Sequence, residues 1–571
     1  MTNSTPGVSI FAIEAAATFL ASVAALLTPR LGSQFFGRAE AAFGRLARKR
    51  TAAVMVVGGS ALLLRLAILP ADPIPHPFIH DEFSYLLAAD TFASGRLTNP
   101  TPPLWQHFES FHIDQQPTYM SMYPPAQGLV LAAGQRILGD PWFGVWLSCG
   151  VMSAAFCWVL QAWFPPGWAF LGGMLCVMRI ALFSEWIDSY NGGAVPAIGG
   201  ALVIGAFSRL IKTQVARRSQ IVTGLLLAAG FAILANSRPW EGVWLGAGVI
   251  AAFLYVSRKK HVPMPGRGFW LPASAALAVI AVGMGYYNFR VFGNPLTLPY
   301  QINRATYAVS PLFVWQNLRP EPVYRHREMR DFYVNREVEV FEKIKTPSGF
   351  VKEIFRKVGI GTTFFYASAL LPPLIMLPVM VFDKRMRSVV IMGLVFFVGV
   401  IINAFFFPRY AAPVGSLIYI ALIQCMRHLR VAQMSGSPAG RFLVRMIVAV
   451  CVVLCGLRAA HQPLHIRVDR FPTLWYGPGP LGIPRATVEA RIDRMPGKHL
   501  LLVRYSSDHD SFDEWVYNKA NIDGAKVVWA REMGWRADSE LIRHFRGRDV
   551  WLVEPDGNPP RVRPYEAQDD H

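Results

Sequence analysis

The chain has 571 residues, of which 53% are hydrophobic and only 16% charged. A soluble protein carries roughly a quarter charged residues, so this composition excludes a disordered chain and argues against an ordinary soluble enzyme. Lys and Arg number 56 against 37 Asp and Glu, a formal charge of +19; in a soluble protein that would suggest nucleic acid, but here its position along the chain decides its meaning.

Apolar runs of about 20 residues can cross a bilayer. They predict spans near 51–70, 142–164, 166–185, 190–211, 219–236, 239–257, 269–289, 360–382, 388–407, 411–426 and 443–460. A further run at 8–28 carries Glu14, and the absence of basic residues ahead of it argues against a cleaved signal peptide. The expected fold is an all-α polytopic membrane protein with about 11–12 transmembrane helices. Its expected divisions are 1–50 (apolar helix and basic cytoplasmic loop), 51–460 (membrane domain) and 461–571 (linker and small α/β domain). The six cysteines all fall in apolar runs and read as packing residues, with neither a disulfide framework nor a zinc site expected.

Five short connections, at 29–50, 208–218, 258–268, 383–387 and 427–445, hold 21 basic residues against Glu40 and Asp383. They account for the whole positive excess. This is the positive-inside pattern, and it removes nucleic acid as the explanation. Counting spans between these anchors puts the 71–141 and 290–359 loops and everything after 460 outside. The run from Tyr123 to Leu138 must then not span. It is short, begins at Pro124-Pro125 and contains Gln127, Gln135 and Arg136, so an interfacial helix is expected.

That topology brings four polar clusters to one face: His80-Asp81-Glu82, Glu185 to Gly193 (with Asp188), Asn236 to Gly242 (with Arg238 and Glu241), and Pro408-Arg409-Tyr410. Ionisable groups at membrane depth usually face a cavity or a partner. Blander readings exist for each. An acidic pair at a helix start complements the helix dipole, Arg238 and Arg409 taken singly fit interfacial anchors, and Arg65 and Arg179 suit structural pairs. His76, His80, His107, His112 and Asp114 share the first external loop. His80, His107 and His112 are weak candidates for a divalent metal, and solvated loop histidines are the favoured reading. No phosphate-binding Gly-rich loop is visible.

At these residues the sequence resembles the integral-membrane glycosyltransferases of the GT-C fold, a group that includes protein O-mannosyltransferases, the lipid A aminoarabinose transferase and oligosaccharyltransferase catalytic subunits. An external loop opens with Asp81-Glu82, and Ala88-Ala89-Asp90-Thr91-Phe92-Ala93-Ser94-Gly95 follows. Met122-Tyr123-Pro124-Pro125 opens the interfacial helix, and Phe407-Pro408-Arg409-Tyr410-Ala411-Ala412-Pro413 comes late. The resemblance covers roughly 51–426 and departs from the pattern at Ala126-Gln127, where leucine would follow the prolines. It implies an extracytoplasmic active site in a membrane, the bacterial inner membrane being the expected location. It also implies a polyprenyl-phosphate-linked sugar donor, an inverting transfer to a glycan, lipid or protein acceptor, and Asp81 as base with Glu82 as alternate. Arg409 carries the match for binding the lipid phosphate. Arg238 joins it from topology, with Tyr410, Asp188 and Glu241 as further substrate-binding candidates. A transporter or flippase for a lipid-linked or anionic substrate and a non-catalytic assembly protein are the competing readings. No paired repeat favours the transporter.

The 290–359 loop is rich in charge and aromatics and is expected to form a lid or an outer cap. Beyond 460, a Pro/Gly linker (Tyr476 to Pro480) leads to predicted strands at 499–505, 525–530 and 549–553 and helices at 511–519 and 538–545, a small α/β unit with parallel pairing.

Overall fold

The computed structural model describes residues 8–211, 217–433, 437–468 and 482–566; the 476–480 linker lies outside them. Among the described residues, eight helices are long and apolar enough to cross a membrane: Ile10–Leu27, Arg50–Ile68, Trp142–Trp163, Arg218–Ala235, Pro239–Lys259, Arg267–Phe292, Pro408–Val431 and Ala439–Ala459. Pro372–Phe382 and Arg387–Ile402, bent by 106°, make a ninth if taken together, and Pro166–Ala181 and Ala194–Leu210 are shorter apolar helices. The protein is an integral membrane protein.

The membrane region is mostly helical rather than helical throughout, and two predicted spans are not continuous. The 360–382 run breaks where the Pro347–Phe365 helix ends: Ala367 takes a φ of 44°, and Pro372-Pro373 then begin a 3-10 turn. Prolines remove backbone donors and stop the helix there. The 166–185 run is helical only to Cys176, continues as one π turn over Val177–Ala181, and then runs irregularly to Gly193. That irregular stretch carries one of the polar clusters.

The basic connections meet at one end. Glu40 lies on the amphipathic helix Ser33–Arg48 and binds Arg430 and Arg445, each at 2.9 Å. Arg430 is at the opposite end of Pro408–Val431 from Arg409, about 30 Å away at helical rise. The basic face and the polar clusters therefore occupy opposite ends of the bundle, as the charge pattern requires.

Glu14, the anomaly of the first apolar run, is buried. It accepts from the Ala369 N–H at 3.0 Å and stands 3.6 Å from Arg458 and 3.9 Å from Arg179. Removing one partner of a buried charge group strands the others. Glu14→Leu is therefore expected to lower stability by about 3 kcal/mol, read as a lower unfolding midpoint in detergent.

Outside the spans, a two-residue ribbon pairs β1 (Ile113–Asp114) with β2 (Met120–Ser121), and the helix Pro125–Leu138 follows. Pro125 suits a helix start, and Gly139 ends it at a φ of 86°. The C-terminal domain is a four-stranded sheet in the order β4-β3-β5-β6: β3 (Lys498–Val503) is parallel to β4 (Val527–Arg531) and to β5 (Arg548–Glu554), and β6 (Arg561–Pro564) is antiparallel to β5. The sheet thus has one strand more than predicted. Helix Trp535–His544 forms where expected, and Ile483–Asp493 is an additional helix.

The predicted 511–519 helix does not form. Glu514 accepts from the Val516 N–H and the Tyr505 hydroxyl, and Asp510 accepts from the Phe512 N–H. Acidic side chains that capture nearby N–H groups offer the backbone an alternative to helix. The domain docks on the 71–141 segment, with Leu500, Leu502 and Tyr517 sharing one apolar cluster with Phe83, Phe108 and Ile113.

Candidate active site

Asp81 begins the helix His80–Ala93, one residue inside its N-terminus. Its Oδ2 accepts from Arg409 at 2.5 Å. Its Oδ1 accepts from the Tyr123 hydroxyl and lies 2.7 Å from His112 Nδ1. The second arm of Arg409 reaches Glu185 Oε1 at 2.6 Å. Arg238 lays its guanidinium over the Tyr410 ring at 4.5 Å. Residues from all four predicted clusters, drawn from 81 to 410 in sequence, thus meet in one place.

Local structure explains the meeting. The β1–β2 ribbon carries His112 beside Tyr123: the His112 carbonyl accepts from the Met122 N–H at 3.1 Å and from the Ser84 hydroxyl at 2.6 Å. Phe407 is extended and Pro408 starts the 3-10 turn that presents Arg409. The Ala194–Leu210 helix abuts that turn at Gly200, where a Cβ would stand 1.8 Å from the Pro413 carbonyl oxygen. Only glycine permits that approach.

The candidates divide by partner. Asp81, Arg409, Tyr410 and Arg238 come together, with Glu241 buried in the first turn of the Pro239–Lys260 helix behind Arg238. Glu82 is turned to backbone instead: Oε2 accepts from the Phe78 and Ile79 N–H groups at 2.9 and 3.1 Å, and Oε1 from the Tyr190 N–H at 3.1 Å. It caps its own helix and ties down the 182–193 stretch. Asp188 pairs with Arg65 at 2.8 Å, beside Asp72 at 3.4 Å from the same guanidinium, rather than with Arg238 or Arg409. Arg65 and Arg179 both have the structural pairings read for them. Glu185 and Tyr123 lie within the motifs, but no single-residue signal in the sequence marks either for the site. Glu185 opens the second cluster, and its place beside an irregular apolar break was the available positional signal.

The three histidines do not converge. His80 contacts the Ser511 carbonyl through Nε2 at 2.8 Å and stacks on Phe111. His107 meets the Arg531 carbonyl through Nδ1 at 2.9 Å, and His112 pairs with Asp81. Among the described residues, no group of three His, Cys, Asp or Glu side chains has an arrangement that could hold a metal ion.

Electrostatically, burial alone would push the Asp81 carboxyl up, but Arg409, His112 and Tyr123 hold it well below the usual carboxylate range. Burial, then His112, lowers His80 to about 3, and burial raises Asp114 to about 7 against the opposing hydrogen bond from Asn303. A histidine whose folded pKa is depressed binds its proton more readily when unfolded. Its contribution to stability is full above about 6.5 and is lost as pH falls toward 3. This residue's contribution is expected to fall below pH 6.5 by up to about 1.4 kcal/mol per pH unit, while Asp114, with its raised pKa, favours the folded state as pH falls below 7. Urea titrations of wild type and His80→Phe at several pH values check this: the stability difference between the two should move against wild type as pH falls from 7 to 5.

The site is covered. Asp81 is 8% exposed, Arg409 5% and Glu185 1%. Phe332 of the 290–359 loop and Phe512 of the C-terminal domain both pack on His80, and Arg336 binds Asp510 at 2.7 Å across the two. An open groove of about 570 Å³ lies elsewhere, between Phe92–Gly95 and Leu129–Arg136. Asp81 is therefore closed off beneath both segments.

No family profile matches the chain, and no curated protein matches it. Solved structures that align with 88% of it include ArnT from Cupriavidus metallidurans bound to undecaprenyl phosphate (12% identity, 92% of that chain, TM-score 0.49). The Archaeoglobus fulgidus oligosaccharyltransferase in its apo form aligns at 9% identity over 69% of that chain, with a TM-score of 0.49. The arabinofuranosyltransferase AftD from Mycobacteria aligns at 14% identity over 35% of that chain, with a TM-score of 0.41.

Proposed function

We propose that this protein is a GT-C-type membrane glycosyltransferase that moves a sugar from a polyprenyl-phosphate-linked donor to an acceptor on the extracytoplasmic face, with inversion. The observation that carries the reading is the buried Asp81–Arg409–Glu185 chain beside Arg238, at the end of the bundle away from the basic connections. The positive-inside pattern assigns that end to the outer face. A donor used there must already have crossed the membrane, and a lipid carrier does so and reaches the site laterally between spans.

The charges divide the work. Arg409 is occupied by two carboxylates. Among the described residues, no hydrogen bond or ion pair joins the Arg238 guanidinium, which lies over the Tyr410 ring. Arg238 is thus the guanidinium with donors to offer a lipid phosphate, which a planar fork binds well. Arg409 fixes the Asp81 carboxylate on which acceptor activation depends. The conserved-charge swap at Arg238 separates these roles: Arg238→Leu is expected to weaken binding of undecaprenyl phosphate at least tenfold, as loss of a charged hydrogen bond implies, and Arg238→Lys to restore part of it. Lipid titration of the purified protein measures both.

The deciding experiment places purified protein in proteoliposomes with a labelled polyprenyl-phospho-sugar and a membrane lipid extract as acceptor. The reading predicts label moving to a new product, with loss of transfer in Asp81→Asn. Movement of intact donor across the bilayer without a new product would favour the flippase instead.

A further inference from the structure

We infer that His112 takes the proton from the acceptor in the transfer step and that Asp81 acts through it, holding the imidazole and stabilising the imidazolium that forms. This rests on the glycosyltransferase reading above and assigns the proton-transfer step within that site.

The two ring nitrogens of His112 have different surroundings. An ionised carboxylate only accepts hydrogen bonds, so at 2.7 Å from Asp81 Oδ1 the His112 Nδ1 carries the proton. That leaves the lone pair on Nε2. Among the described residues Nε2 has no hydrogen-bond partner, while Nδ1 faces both Asp81 and the Tyr123 hydroxyl at 3.1 Å. The imidazole is 12% exposed, so it is shielded but not sealed. Its backbone is held in the left-handed region, at a φ of 58°. That conformation is uncommon for any residue but glycine, and residues that hold it cluster at functional sites. Here the Ser84 hydroxyl and the Met122 N–H grip its carbonyl.

Asp81 is badly placed to do the same work alone. Both of its oxygens are engaged: Oδ2 by Arg409, Oδ1 by Tyr123 and His112. The Arg409 ion pair also keeps its basicity low. A carboxylate in this state orients an imidazole and stabilises the imidazolium that forms, a division of labour familiar from hydrolytic triads.

In the step itself, the electron pair of the acceptor O–H or N–H bond leaves its proton to His112 Nε2 as the acceptor atom bonds to the sugar anomeric carbon. The bond from that carbon to the phosphate oxygen breaks, and its electrons leave on the lipid phosphate beside Arg238. The imidazolium next to Asp81 returns its proton to water after product departs. The groups facing His112 are Asp81 and Tyr123 at Nδ1, His80 with its ring centre 5.4 Å away, the Tyr333 hydroxyl at the His112 backbone, and Arg409 behind Asp81.

The test uses the full-length protein and the donor found to be turned over in the proteoliposome assay. Wild-type kcat/KM should decline on the acid side, where a protonated imidazole cannot accept the acceptor's proton. His112→Gln should lower kcat by about 10²- to 10⁴-fold and lose that acid limb. His112→Ala should regain part of its rate with added imidazole, a response a merely structural residue does not give. In Asp81→Asn the residual activity should keep an acid limb. His112→Gln retaining kcat within threefold while Asp81→Asn is inactive would overturn the assignment and leave the glycosyltransferase reading standing. Loss of wild-type activity with EDTA, restored by a divalent cation that His112→Ala no longer binds, would make His112 a metal ligand and overturn it equally. Absence of transfer from every polyprenyl-phospho-sugar would defeat both.

Discussion

Arg409→Met is expected to be the most damaging single substitution in the membrane domain. Asp81 and Glu185 both lean on this one guanidinium and are both buried. Removing it leaves two carboxylates facing each other in a dry site, which costs about 3–5 kcal/mol for a broken buried pair. Part of that cost is recovered if one carboxyl takes up a proton, so the loss should shrink at low pH. Urea unfolding in detergent measures the change. Transfer should be lost as well, because Asp81 is no longer held against His112 and Tyr123. Arg409→Lys should do less harm to stability than to activity: an ammonium supplies charge but cannot span both carboxylates with a planar fork.

Asp81→Asn is expected to give the opposite pattern, a folded protein without chemistry. Asn keeps the size of the side chain and an oxygen that accepts from Tyr123, and Arg409 keeps Glu185. Stability should change by no more than about 1–2 kcal/mol, in keeping with loss of one charged hydrogen bond. Transfer should fall by about 10³-fold or more, since proton acceptance and its orientation depend together on this carboxylate. Single-turnover transfer from labelled donor, alongside the unfolding midpoint, separates the two quantities.

The sequence made the meeting of the clusters legible because charge at membrane depth has few alternatives to pairing. Five basic connections oriented the bundle, and four polar clusters then had to share an end. Which carboxylate finds which arginine was not legible. Asp188 and Glu185 lie three residues apart in an irregular stretch, and the structure gives the first to Arg65 and the second to Arg409. Glu82 illustrates a different limit. Beside Asp81 it reads as a second catalytic acid, yet its position three residues after Ile79 is that of a helix-capping glutamate, and its oxygens serve backbone N–H groups. The 360–382 run is apolar enough to span, but Pro372-Pro373 lack the backbone donors a continuous helix needs. The 511–519 helix failed because Glu514 serves Tyr505, Val516 and the buried Arg531 at once. Such tertiary demands leave no periodic trace in the sequence.

The cover over the site ties these parts together. The 290–359 loop and the C-terminal domain touch the same ring, His80, next to the Asp81 carboxylate. Their contact, through Arg336 and Asp510 and through the buried Arg531 between Glu328 and Glu514, closes the site from outside. Excluding water there strengthens each charge interaction beneath it.

Transfer of labelled sugar from a purified polyprenyl-phosphate donor, followed for wild type, Asp81→Asn and Arg238→Leu under one set of conditions, tests the account most directly. A labelled product from wild type, its near-complete loss in Asp81→Asn at saturating donor, and a raised donor KM in Arg238→Leu are the predicted results. Equal product from all three proteins would contradict it.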